Sequence, residues 1–289
     1  MEIGSLEHRD LFCRFFVDSH IDFDPELVPW PALDGAPLAR LTGLPFWREA
    51  VMTESVTART VATAATHEAD PVMRAALALQ GEEEARHSAL LRGLTAFYRI
   101  PLGALPPVPA PRRGNWDYLY AGYGECFDSF FAFGLIRLAQ ESGYFPQELV
   151  DIFDPVIQEE ARHILFFVNW VAYHRARCGW RRPVLDATRA IVTLLQVLNR
   201  VKTARGLGGK EENFTMQGHA DVAGDVDIRR FLEICLEENE RRFAPYDPRL
   251  LRPRFVPAAA RTALRFLART KRHSVVPAGN RVDIRNPNR

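Results

Sequence analysis

Gln158-Glu159-Glu160-Ala161-Arg162-His163 ends in the same five letters as Glu83-Glu84-Ala85-Arg86-His87. On a helix of 3.6 residues per turn, the second Glu and the His of each copy stand three positions apart and share one face, a turn apart. A carboxylate and an imidazole so placed form one jaw of a metal site. Two jaws suggest two metals, and a two-metal site enclosed by four helices needs one further inward Glu from each of the other two helices. The chain therefore has to supply two lone glutamates.

Both are present at the expected distance. From about Phe46 to Thr66, Trp47, Val51, Ala58, Val61 and Ala65 recur at steps of three and four, and the skipped position is Glu54. Asp70-Pro71 then reads as an N-cap with proline at the first helical position. The helix that follows carries Met73, Ala76, Gln80, Glu84, His87 and Leu91 on one stripe. Folding the two helices back on each other about residue 69 brings Glu54 level with Glu84. A proline-rich stretch over 101 to 114 has the length of a crossover, and the plan then repeats. Tyr118, Gly122, Glu125, Ser129, Ala132 and Ile136 form the third stripe, Ser142-Gly143 is a stop, and Val156, Glu160, His163, Phe167 and Trp170 form the fourth. Glu125 should meet Glu160. Asp154-Pro155 either delays the start of this last helix or kinks it after a first turn near Gln147.

Outside this core, residues 1 to 45 read as an N-terminal wrapping segment: a short helix with Phe12, Phe15 and Phe16 on one face, then a stretch punctuated by prolines. A fifth helix beyond Arg182, with Val184, Ala187, Ile191, Leu194, Leu198 and Val201 at helical spacing, should flank the core and complete a domain over 46 to 204. Residues 205 to 289 read as a C-terminal extension: a glycine-containing loop to about 226, helices near Asp227 to Arg242 and Ala258 to Thr270, and a basic tail from His273. The expected fold class is all-α.

The 289 residues are 47% hydrophobic and 25% charged, an ordinary globular composition. The net charge of +1 hides an asymmetry: ten of the 37 Lys and Arg, but one of the 36 Asp and Glu, lie from Arg252 onward. That tail offers weak contact to an anionic membrane surface or an acidic carrier protein; a solvated helix face is the simpler reading. No nucleic-acid partner is expected, and a homodimer is compatible with the composition. Cys13, Cys126, Cys178 and Cys235 form no C-x-x-C pair, which argues against a disulfide framework or a zinc ribbon. With no apolar run of about 18 residues, the simplest location is the cytoplasm.

Glu54, Glu84-x-x-His87, Glu125 and Glu160-x-x-His163 resemble the ligand set of the ferritin-like di-iron carboxylate superfamily, over roughly residues 46 to 178. Their separations are similar to those of its oxygen-activating branch, which includes ribonucleotide reductase small subunits, fatty-acyl desaturases and bacterial monooxygenases. The resemblance implies a ferritin-like four-helix bundle with additional N- and C-terminal helices, and two iron ions, with manganese in one or both positions as the alternative. It implies a non-haem oxidoreductase that uses dioxygen to hydroxylate, desaturate or N-oxygenate an organic, partly apolar small molecule, with an electron-donor protein as partner. A ferroxidase or peroxide-scavenging iron protein is the rival enzyme; an iron-binding structural or sensing bundle is the rival without turnover. Leu91 stands where ribonucleotide reductase small subunits usually carry the radical tyrosine, which argues against radical storage.

Neighbours of the six residues carry weaker expectations. Glu83 and Glu159 read first as solvated or salt-bridged residues beside an arginine, and second as acceptors for imidazole N–H groups. Asp128 is balanced between the site's surroundings and the surface. His174, three turns from His163, reads as a core or surface histidine. Gly122 and Ser129 are expected to leave space for a substrate beside Glu125.

Overall fold

The computed structural model describes residues 1–111, 114–204, 222 and 226–273, and among these the chain is all-α, with no strand. Among the described residues nine α-helices run in order: α1 Leu6–Asp18, α2 Gly35–Gly43, α3 Trp47–His67, α4 Pro71–Phe97, α5 Gly114–Ser142, α6 Gln147–Arg177, α7 Arg182–Ala204, α8 Ile228–Phe243 and α9 Phe255–His273. Most of the loop expected before 226 and the tail beyond His273 lie outside the described residues.

Local chemistry sets the helix starts. The Asp70 carboxylate accepts from the backbone N–H groups of Val72 (2.9 Å) and Met73 (3.3 Å), with Pro71 at the first position of α4. Ser5 caps α1 by accepting from His8 N–H at 3.1 Å, and Asp227 caps α8 through Arg230 N–H at 2.8 Å. The proline in α6 neither delays nor ends it, since the helix starts at Gln147 and continues through Pro155. The buried Arg242 of α8 braces that turn, donating to the Asp154 carbonyl and carboxylate and to Gln158.

α3 and α4 form one hairpin and α5 and α6 a second, packed through α3 on α5 and α4 on α6. At one end Val61, Leu77, Tyr118 and Phe167 close the core with Phe12 and Phe16 of α1. At the other, Trp47, Leu94 and Leu149 pack with Leu41 of α2, a helix the proline spacing concealed. α8 lies along α5, where a Cβ on Gly134 would stand 2.4 Å from Cys235 Sγ, so only a hydrogen at that position permits the approach. α9 adds Val256 and Ala260 to the same cluster. No helix among the described residues is long and apolar enough to cross a membrane.

One expectation is corrected: the space foreseen at Gly122 is already filled, because a Cβ there would lie 2.4 Å from the Phe167 ring. The apolar stripe of α7 points outward: Val184, Ile191, Leu194, Leu198 and Val201 are 66, 50, 56, 54 and 41% exposed. The inner face is instead Val192 and Gln196, both buried, with Gln196 donating to the Tyr120 carbonyl at 2.7 Å and Arg200 bonded to Asp128. Polar contacts to α5, which periodicity cannot weigh, orient this helix.

Candidate metal centre

The four core helices bring the six residues together. Glu54 of α3, Glu84 and His87 of α4 and Glu160 of α6 place one ligand atom each within 4.8 Å of one another and can hold a metal ion. His87 Nδ1 lies 3.2 Å from Glu160 Oε1 and 3.7 Å from Glu54 Oε2. On the other side His163 Nδ1 lies 2.9 Å from Glu84 Oε1. Glu125 of α5 lines the same cavity as Glu54, Glu84 and Glu160 and feels the charge of Glu84 and Glu160.

Four buried atoms here, His87 Nδ1, His163 Nδ1, Glu84 Oε1 and Glu125 Oε2, lack a well-directed hydrogen bond, although His163 Nδ1 and Glu84 Oε1 stand 2.9 Å apart. A buried polar atom without a good partner costs about 1–3 kcal/mol, so four of them on ion-binding side chains fit a cation better than an apolar core. Carboxylates and imidazoles without thiolate suit iron or manganese in particular. Two divalent ions would neutralise four carboxylates.

The second nitrogen of each imidazole is fixed, and the pattern crosses between the two repeats. His163 Nε2 pairs with Glu83 Oε2 at 2.8 Å, and His87 Nε2 pairs with Glu159 Oε2 at 2.7 Å. Each carboxylate also accepts from the arginine of the opposite repeat: Arg162 to Glu83 at 2.9 Å, Arg86 to Glu159 at 2.5 Å. With Nε2–H donating outward, each Nδ1 lone pair points inward, as a ligand requires. Glu83 and Glu159 are both fully buried. Of the first reading, the solvated half is overturned and the salt-bridged half holds, with the arginine of the opposite repeat, and the second reading holds as well, since both carboxylates meet the imidazoles. His20, which the sequence did not single out, adds a contact to Glu83 Oε1 at 2.5 Å. Arg162, itself fully buried, reaches on to the Phe16 carbonyl and Ser19 Oγ and fastens α1 over the site.

Crowding shifts the titrations. Burial raises Glu54 to about 8, helped by Glu84 and Glu160 and opposed by His87. Burial likewise pushes Glu125 well up, with Glu84 and Glu160 adding to it. Burial would lower both histidines, yet both are raised: His87 by the neighbouring carboxylates of Glu159, Glu160 and Glu54, and His163 by those of Glu84 and Glu83. For Glu83, burial is outweighed by His163 and Arg162, which hold it down at about 2.

Beside the carboxylates lies a cavity of about 320 Å³. Ser129 and Ala132 line it; Gly122 does not. Asp128 also lines it, bonded to Arg200. His174 takes no part in the site, its Nε2 pairing with Glu68 Oε2 at 2.9 Å.

Comparison with protein-family models, with curated proteins and with solved structures returns no match.

Proposed function

We propose that the chain is a ferritin-like di-iron carboxylate oxidoreductase that activates dioxygen to oxidise an organic, largely apolar substrate. Glu54, Glu84, His87, Glu125, Glu160 and His163 would hold two iron ions, with manganese as the alternative occupant. The observation that carries the reading is the clustering of Glu54, Glu84, His87 and Glu160, one ligand atom each within 4.8 Å of the others, beside an apolar cavity. When bound, the ions supply electrons to dioxygen and a Lewis-acid surface for it. The protein's own contribution is positional. Glu83 and Glu159 fix the imidazole tautomers, Arg162 and Arg86 balance those carboxylates, and the apolar wall excludes water from the reacting space. An electron-donor protein would restore the reduced state.

The cavity favours this reading over a ferroxidase, which needs an acid-lined path for iron. Beyond the site residues and Asp128, the wall contains no charged side chain. The test is metal analysis of protein reconstituted with Fe(II) without oxygen, followed by oxygen pulses. About two ions per chain are expected, with oxygen consumption that stops after a single round unless a reductant and substrate are added. Less than about half an ion per chain sinks the metal reading. Repeated Fe(II) oxidation with release of mineral iron, unaffected by Ala132→Phe, makes the protein a ferroxidase.

A further inference from the structure

The helices that enclose the carboxylates border a second cavity on another face. α5 turns Glu125, Ser129 and Ala132 to the first cavity, and Tyr123, Cys126 and Phe127 to a trough of about 1120 Å³. The floor of the trough is α5 and α6, one wall is α7, and the other wall is the segment 251–256 that leads into α9. None of the six residues of the metal centre lines it.

Floor and rim differ in chemistry. Phe127, Phe167, Val168 and Val171 make the floor apolar. The charged side chains lining the trough among the described residues are Arg175, Arg182, Arg189, Arg252 and Arg254 against Asp186, five cations against one acid. The Asp186 carboxylate is shared by Arg175 at 2.6 and 3.0 Å, Arg189 at 3.4 Å and Arg182 at 3.8 Å, so one negative charge faces three guanidiniums. Arg189 is held in addition by its Nε, which donates to the Tyr123 hydroxyl at 2.8 Å. A guanidinium carries five N–H donors, and these contacts leave Arg175 and Arg189 with donors to spare. Across the trough Arg252 donates to the Tyr246 carbonyl at 3.4 Å, and among the described residues neither it nor Arg254 has an acidic partner.

Positive charges gathered around a single carboxylate repel one another, and an anion of more than one charge relieves that repulsion. The planar guanidinium fork matches phosphate oxygens in particular. A bare ion would leave the apolar floor in contact with water, whereas a ligand with an apolar body covers it. We propose that this trough binds an organic phosphate, its phosphate group on Arg175, Arg182 and Arg189 with Arg252 and Arg254 on the opposite wall, and its apolar body over Phe127, Val168 and Val171. The site is independent of the oxidation-centre reading, because no side chain in it belongs to the metal centre.

The experiment is calorimetric titration of the full chain, iron-loaded and chelated, with 1-naphthyl phosphate. Saturable binding at one site is expected in both forms with a Kd below about 100 μM, tighter than for inorganic phosphate, 1-naphthol or the singly charged 1-naphthoate. Arg182 and Arg254 are exposed, so the double variant Arg182→Gln, Arg254→Gln should fold normally, weaken 1-naphthyl phosphate about tenfold and leave 1-naphthol unchanged. Ala172→Phe, which fills the floor, should remove binding of the naphthyl ester and keep that of inorganic phosphate. Adenosine monophosphate and octyl phosphate tell the two sources of such a group apart: the tighter of them assigns the site to a nucleotide or to a lipid phosphate. No saturation by about 1 mM, 1-naphthol bound as tightly as its phosphate, or a double variant that binds like the parent overturns the proposal. Oligoglutamate bound more tightly than 1-naphthyl phosphate also overturns it, and makes the arginines a docking surface for an acidic protein.

Discussion

Glu83→Gln tests the crossed arrangement most directly. The carboxylate accepts from His163 Nε2 at 2.8 Å and from Arg162 at 2.9 Å, and it belongs to the repeat that contains His87. An amide of the same shape keeps one acceptor oxygen, turns an NH₂ toward the donors and removes the charge. Loss of such support for a liganding imidazole typically costs 10–100-fold in metal affinity, about 1.4–2.8 kcal/mol. Breaking a buried ion pair costs about 3–5 kcal/mol; the lower end applies, because Arg162 keeps Phe16 O and Ser19 Oγ. The assay is anaerobic Fe(II) or Mn(II) titration resolving two binding steps, with thermal melting of the metal-free protein. Glu83→Gln should weaken the step that His163→Ala weakens, and Glu159→Gln the step that His87→Ala weakens. If each Gln variant tracks the histidine of its own repeat, or neither step moves, the crossed assignment is wrong.

Three further outcomes follow from the same geometry. In metal-free protein, His87, His163, Glu54 and Glu125 all hold protons more tightly than when unfolded, so their stabilisation is full below the unfolded values of 6.5 and 4.5 and is lost as pH rises through the folded ones. Melting temperature should therefore fall from pH 6 to pH 9 without metal but not with it, and loading should release fewer protons at pH 9, where Glu54 has passed its value of about 8; a metal-free form that gains stability with pH contradicts this. Gly122→Ala should destabilise by about 1–3 kcal/mol through overlap with Phe167, with metal still binding, so an unchanged denaturant midpoint counts against the packing described. His174→Ala should leave metal stoichiometry at the wild-type value, since that imidazole pairs with Glu68; loss of an ion would draw it into the site.

Periodicity made the two hairpins and the inward face of Glu54, Glu84, Glu125 and Glu160 legible, because burial follows helical spacing along one strip. It could not show that Glu83, about 100° around the helix from Glu84, faces His163 80 positions away, since that contact depends on how two hairpins dock. One signal was present: the duplicated word includes a first Glu and an Arg that a metal jaw does not need. For α7, two faces competed for the interior. Spacing marks the more apolar one without saying which way it faces, and hydrogen bonds from Gln196 and Arg200 to α5 place it outside. Pro37, which read as punctuation, stands in the first turn of α2 and so masked that helix.

The crossed carboxylates make the two repeats mutual hostages. A fragment ending after α4 would hold Glu54, Glu84 and a His87 free to swivel; the complementary fragment would hold Glu125, Glu160 and an equally loose His163. A substitution in one copy of Glu-Glu-Ala-Arg-His is felt first in the other, at an imidazole and a guanidinium it does not own. Any change therefore has to be answered across the interface rather than within its own helix. Two copies under that constraint have little freedom to drift apart, which is a physical reason for the same five letters to stand at both 83–87 and 159–163.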